Sequence, residues 1–307
     1  MPHGTKTSKP NTETMVVNQR NWLDVPYDVT ANILQRVGVF DILENAQKVC
    51  TAWRKICKDP AMWRVIDMES FGGLLPPSQL EKMCMHAIDR SQGQLVDLNM
   101  QTFPTNDLIQ FLAQGERSSQ LRRLQISYGS LYESWSNFLE KAPLLEEIAL
   151  TFTIISKETV ADVSRYCPML KSFIYNNYGW KYIIGMSSAD DFVIAIAKGM
   201  PQLLHLQLTG SKMTNKGLYA ILHGCPNLQS LDLRGCFDID LNESCGKLCK
   251  ERIKNLRLPG DSTEGHKVAP YDSEDDYDYN DMWYGGLTES SDDDDYSGII
   301  AEYYSLL

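Results

Sequence analysis

The chain has 307 residues, with 40 acidic against 29 basic side chains and a formal charge of −11, but that charge is unevenly spread. Residues 261–307 hold 14 acids against Lys267 alone, −13 in all, which leaves 26 acids and 28 bases, +2, for residues 1–260. A near-neutral body without a block of Lys and Arg lacks the electrostatic footprint of a nucleic-acid binder, and its longest apolar runs, such as Phe192 to Ala197, fall far short of the ~20 residues a membrane helix needs.

From the N-terminus, residues 1–19 are polar and aperiodic and read as a disordered lead-in. No hydrophobic stretch comes after MPHGTKTSKP to form a secretion signal. Eight cysteines set among apolar positions are then expected as reduced thiols, which points to the nucleus or the cytoplasm.

Residues 20–68 read as two or three short amphipathic helices. Val29, Ile33 and Val37 recur at i, i+4 and i+8 with Leu34 beside them, after a Val25-Pro26 opening that suits a helix start. Ile42, Ala46, Val49, Cys50 and Trp53 then recur on one face, with Asp41 placed to cap. A segment this small rarely buries so much apolar surface internally, so a partner surface or packing on the next segment is implied, and Trp53 and Trp63 are expected in one of those roles. Trp63, Ile66 and Met68 alternate as a strand does and are expected to couple this segment to the repeats that begin at residue 69.

This segment resembles an F-box. Val25-Pro26 stands where the family has Leu-Pro, Val49-Cys50-Thr51-Ala52-Trp53-Arg54 matches its Val-Cys-x-x-Trp-Arg centre, and Asp59-Pro60-Ala61-Met62-Trp63 matches its Asp-Pro-x-x-Trp end. The resemblance implies docking on a Skp adaptor, with helix-in-groove recognition as its energetic basis. Carried over by position, the docking residues would be Val25, Pro26, Val29, Ile33, Leu34, Val37, Ile42, Leu43, Val49 and Trp53.

Residues 69–260 carry a repeat. The pattern L-x-x-L-x-L, with apolar substitutions, occurs seven times, and its middle residues fall at 98, 124, 148, 173, 206, 231 and 256. All but one of the spacings lie in the 20–29 residue range of leucine-rich repeats. Helix-like apolar patterns between the copies end at Ala142-Pro143, Cys167-Pro168, Met200-Pro201 and Cys225-Pro226, where proline stops a helix and favours an extended residue before it. Ser78 with Glu81 and Ser130 with Glu133 fit capping boxes at helix starts. The expected fold is therefore α/β: a helical F-box, then a right-handed curved solenoid with strands on the concave face and helices on the convex one, then a disordered acidic tail over 261–307. Cys225-Pro226 with Cys236 resembles the cysteine-containing class of these repeats.

An F-box leading into such repeats resembles the plant F-box/leucine-rich-repeat proteins of the Skp-interacting type. The resemblance implies a substrate-recognition subunit of a Skp–cullin–F-box ubiquitin ligase, with the adaptor and, through it, a cullin as partners and an unknown protein substrate. The alternative is a scaffold that binds the adaptor without directing degradation. No catalytic arrangement is recognisable among the scattered histidines, the cysteine spacings do not suit a zinc site, and neither enzyme activity nor cofactor nor metal is expected. Substrate readout is expected on strand residues between the leucines, among them His205, Gln207, Asp232 and Arg257, although a solvated face has the same composition. The longer fourth repeat adds Tyr178, Trp180 and Tyr182, which either meet a substrate or cover the edge of the next repeat. The tyrosine-rich tail has three readings: a ligand for basic partners, a shield over the concave face or a solubility device.

Overall fold

A computed structural model describes residues 22–68, 75–101, 105–129, 131, 134–179, 189–241 and 244–264, all within the first of the chain's two units, Met1–Ala269. The lead-in, the acidic tail, Trp180, Tyr182 and the Ser130–Glu133 pair lie outside the described residues.

Helix α1 (Tyr27–Gln35) starts directly after Pro26, whose backbone at φ −54° is preset for the turn into it. Next come α2 (Val39–Asp41), one π turn over Ile42–Ala46 and α3 (Gln47–Val49). The apolar spacing predicts one face running on to Trp53, but the helix breaks at Cys50, which is extended at φ −160° and ψ 169°. Its Sγ accepts the Trp53 N–H at 3.4 Å and so caps α4 (Thr51–Cys57). Asp41 lies inside the helical run instead of capping it, and its Oδ1 accepts from Asn45 Nδ2 at 2.8 Å. A 3-10 turn over Pro60–Trp63, capped by Asp59 Oδ1 at 2.9 Å from the Ala61 N–H, closes the segment.

The rest alternates strand and helix: β1 (Val65–Asp67), α5 (Pro77–Arg90), β2 (Asp97–Gln101), α6 (Asn106–Leu112), β3 (Arg123–Ser127), α7 (Trp135–Glu140), β4 (Glu147–Thr151), α8 (Lys157–Tyr166), β5 (Ser172–Asn176), α9 (Ala189–Gly199), β6 (His205–Thr209), α10 (Asn215–Gly224), β7 (Ser230–Asp232), α11 (Ser244–Arg252) and β8 (Asn255–Arg257). All eight strands form one parallel sheet in chain order. Helices α7 to α10 each end within two residues of the prolines that predict their stops.

The leucine pattern forms the core. Leu98, Leu124, Ile148, Phe173, Leu206, Leu231 and Leu256 are in register across neighbouring strands, and all but the last are buried. Leu256 and Leu258 are only half-buried because β8 has no further strand of the sheet to pack against, the usual condition of a terminal repeat. Consecutive repeats are also joined by polar contacts. Buried Asp190, at the start of α9, accepts from the Thr214 N–H at 2.9 Å, the Thr214 hydroxyl at 2.7 Å and the Gly217 N–H at 3.1 Å, so its carboxylate satisfies the free amides that open α10.

The capping box expected at Ser78 and Glu81 does not form. Pro76 and Pro77 start α5 earlier, since proline has no N–H to satisfy, and Ser78 becomes an interior residue of the first turn. Glu81 accepts instead from Thr105, the residue whose hydroxyl caps α6 at 3.2 Å from the Leu108 N–H.

Candidate functional site

The first candidate face is built on α1. The Tyr27 hydroxyl donates to Asp59 Oδ2 at 2.5 Å, tying the start of α1 to the Asp59-Pro60 end of the segment. That bond, with the Ala61 N–H, holds the Asp59 carboxyl below its ordinary value and pushes the Tyr27 phenol up. A lowered folded-state value means that Asp59 contributes stability above the ordinary carboxylate range and loses it as pH falls through that lowered value.

With α1 so anchored, its apolar residues divide. Leu34 is 0% exposed, whereas Val29 and Ile33, one turn apart, are 44% and 38% exposed. Val37, just past the helix, and Val49, at the end of α3, are also exposed, as is Pro26. Val25 and Trp53 are half-buried, the Trp53 ring standing edge-on to Trp22 with centroids 6.2 Å apart. Six of the ten large apolar side chains exposed among the described residues lie within residues 22–49, a concentration that marks an interaction surface rather than scattered exposure. Leu34, Ile42 and Leu43, expected on the docking face, are core residues instead. The break at Cys50 and the π turn rotate the second helical run, so that Ile42, Leu43 and Ala46 turn inward and Val49 outward.

Trp63 takes the other expected role, packing on the first repeat. Its ring is 1% exposed, its Nε1 donates to the Cys57 carbonyl at 2.9 Å, and the Arg90 guanidinium of α5 lies 5.5 Å from its centroid. Arg90 also donates to Gln47 Oε1 at 2.9 Å and so joins the solenoid's first helix to the helical segment.

The second candidate face is the strand surface. The residues between the leucines align in two rows, Asp97, Arg123, Glu147, Ser172, His205, Ser230, Asn255 and Asn99, Gln125, Ala149, Ile174, Gln207, Asp232, Arg257. His205, Gln207, Asp232 and Arg257 line one concavity of about 540 Å³ over β5 to β8. Tyr178 is half-buried and sits over the next two repeats. A Cβ at Gly210, at φ +76°, would fall 2.6 Å from the Tyr178 Cα, and one at Gly235, at φ +73°, would overlap its ring. Of its two readings, Tyr178 takes the one that covers the adjacent edge.

A profile of the F-box-like family matches residues 22–69. F-box protein SKIP19 of Arabidopsis thaliana is 41% identical over 296 residues, 95% of this chain and 93% of its own length. F-box/LRR-repeat protein 23 of the same plant is 44% identical over 80% of this chain, which spans 55% of that relative's length. The chain belongs to the plant F-box/leucine-rich-repeat proteins of the Skp-interacting type. Among solved structures, a tropomodulin C-terminal domain from Caenorhabditis elegans is similar over 48% of this chain and 92% of its own, at 14% identity and a TM-score of 0.35.

Within this F-box/leucine-rich-repeat chain, sequence reasoning missed Arg90, Arg234 and Lys254. Arg90 lies on the convex side, where only the joint gives it meaning. Arg234 stands two residues after Asp232, outside both strand rows, and Lys254 precedes β8. All eight thiols are free, seven of them buried. Burial pushes Cys167 and Cys236 up to about 12 and Cys225 and Cys249 up to about 11. Such thiols stay neutral at pH 8 and unreactive. Native chain treated with a disulfide reagent at that pH is expected to label half-buried Cys50 first by mass spectrometry. A second cysteine labelled as fast would contradict the burial pattern.

Proposed function

We propose that this chain is the substrate-recognition subunit of a Skp–cullin–F-box ubiquitin ligase. F-box proteins as a class are adaptor subunits rather than enzymes. In this reading Pro26, Val29, Ile33, Val37 and Val49 enter a groove of the Skp adaptor, Trp53 and Trp22 border them, and the solenoid holds the protein to be ubiquitinated. The exposed apolar stripe on a helix otherwise fixed by Leu34 and Asp59 carries this reading, since a few apolar anchors supply most of the affinity in helix-in-groove contacts. The joint through Trp63 and Arg90 supports it too, because it ties the adaptor-binding part to the solenoid. Eight free thiols suit the nucleus or the cytoplasm, which a fluorescent fusion would check.

Degradation separates this role from that of a scaffold. Proteins captured by the full chain in plant cells are expected to become longer-lived when residues 22–68 are deleted, as measured by chase after translation arrest. Captured proteins that keep the same half-life would leave the scaffold reading in its place.

A further inference from the structure

The two ends of the concave sheet handle charge differently. Toward the N-terminal end, bases meet acids of neighbouring repeats: Arg123 Nε lies 2.7 Å from Asp97 Oδ2, and Lys171 Nζ, at 2.9 Å, and Arg122 both reach Glu146. Toward the C-terminal end, the concavity over β5 to β8 is lined by Arg234, Lys254, Arg257 and His205 with a single acid, Asp232. That carboxylate is held in a fork by Arg234, whose Nε lies 3.0 and 3.1 Å from its two oxygens and whose Nη2 lies 2.5 Å from Oδ2. Arg234 is fixed further by donating to the Ser262 carbonyl at 2.8 Å. Lys254 and Arg257 are exposed, and among the described residues neither enters an ion pair.

Resting on the receptor reading above, we propose that this concavity binds an acidic peptide segment of the protein to be ubiquitinated, with its carboxylates on Lys254 and Arg257. The volume, about 540 Å³, falls within the roughly 300–1,000 Å³ of ligand clefts. The walls favour a peptide over a bare anion. Gln207 and Asn255 carry both donors and acceptors, as an extended backbone requires, and Ser172 and Ser230 add hydroxyls beside aliphatic Ile174 and Leu206. A phosphate ion offers mainly acceptors and would leave the amide oxygens unused. The chain's overall charge of −11 repels an acidic peptide at a distance, so saturable binding of one requires a local cationic site.

Fluorescence anisotropy with a labelled ten-residue polyglutamate peptide, titrated with the full chain, tests the assignment. Saturable binding that weakens as salt rises is expected, with none for a Gly-Ser peptide of equal length. Lys254→Glu with Arg257→Glu should weaken it at least roughly tenfold, a difference of about 1.4 kcal/mol, while Skp-adaptor binding is unchanged. The milder Lys254→Gln and Arg257→Gln pair should weaken it in the same direction, and melting curves matching the unmodified chain guard against misfolding. No saturable binding, indifference to both pairs, or full displacement by millimolar inorganic phosphate would overturn the proposal. Loss of adaptor binding alone by Val29→Asp and Ile33→Asp, with the peptide still bound, tests the F-box and leaves this site standing.

Discussion

Val29→Asp combined with Ile33→Asp is expected to abolish binding of a Skp adaptor while leaving the chain folded. Both side chains are exposed on α1, and surface substitutions away from special features usually move stability by no more than about 0.5 kcal/mol. In a groove the same aspartates would bury unpaired charge. Central anchors commonly cost about 2 kcal/mol or more each, so the pair should weaken affinity by about 1,000-fold. Titration calorimetry with purified adaptor would measure the loss, and circular dichroism would confirm the fold. Leu34→Asp, one residue away, is the contrast: that side chain is fully buried, so the chain itself should unfold. Retained adaptor binding by the Val29 and Ile33 pair would remove α1 from the interface.

Trp63→Ala should be the most damaging single substitution at the junction between helical segment and solenoid. It removes a buried indole, its bond to the Cys57 carbonyl and the ring under Arg90. Large aromatic-to-alanine changes in a core cost about 3–5 kcal/mol, readable as a shift in the urea midpoint at constant slope. Trp63→Phe keeps most of the volume and loses mainly the hydrogen bond, so it should cost about 1 kcal/mol. A loss below about 1 kcal/mol for the alanine variant would mean that the segment is held to the first repeat by β1 alone, where Val65, Ile66 and Asp67 pair with Asp97, Leu98 and Asn99.

The strand register was legible because a parallel repeat has only one way to bury its leucines. Shifting any strand by one residue would turn Leu124 or Ile148 to the wrong face, so the spacing that locates the leucines also aligns His205 with Ser230 and Gln207 with Asp232. Helix stops were legible at prolines for a similarly local reason. Helix starts were less so: a Ser and a Glu three residues apart describe a capping box, but the adjacent prolines at 76 and 77 open α5 first. The F-box motif located the docking segment without ordering its faces. Apolar spacing places Val29, Ile33 and Leu34 within one turn, and nothing local distinguishes the one that packs inward from the two that do not.

The net charge of −11 divides the same way. Local patterns alone determined that the acidity belongs to residues 261–307, that residues 20–68 resemble an F-box and that the body repeats every 25 or so residues, because charge, periodicity and proline act over a few bonds or one turn. Only the tertiary structure decided which bases are compensated. Arg123 and Asp97 are 26 residues apart in the chain yet 2.7 Å apart across adjacent strands, while Asp232 is held by Arg234 and Lys254 and Arg257 remain exposed. Partners of that kind are set by the stacking of repeats, and electrostatic pairing depends on distance in space, not on separation along the chain.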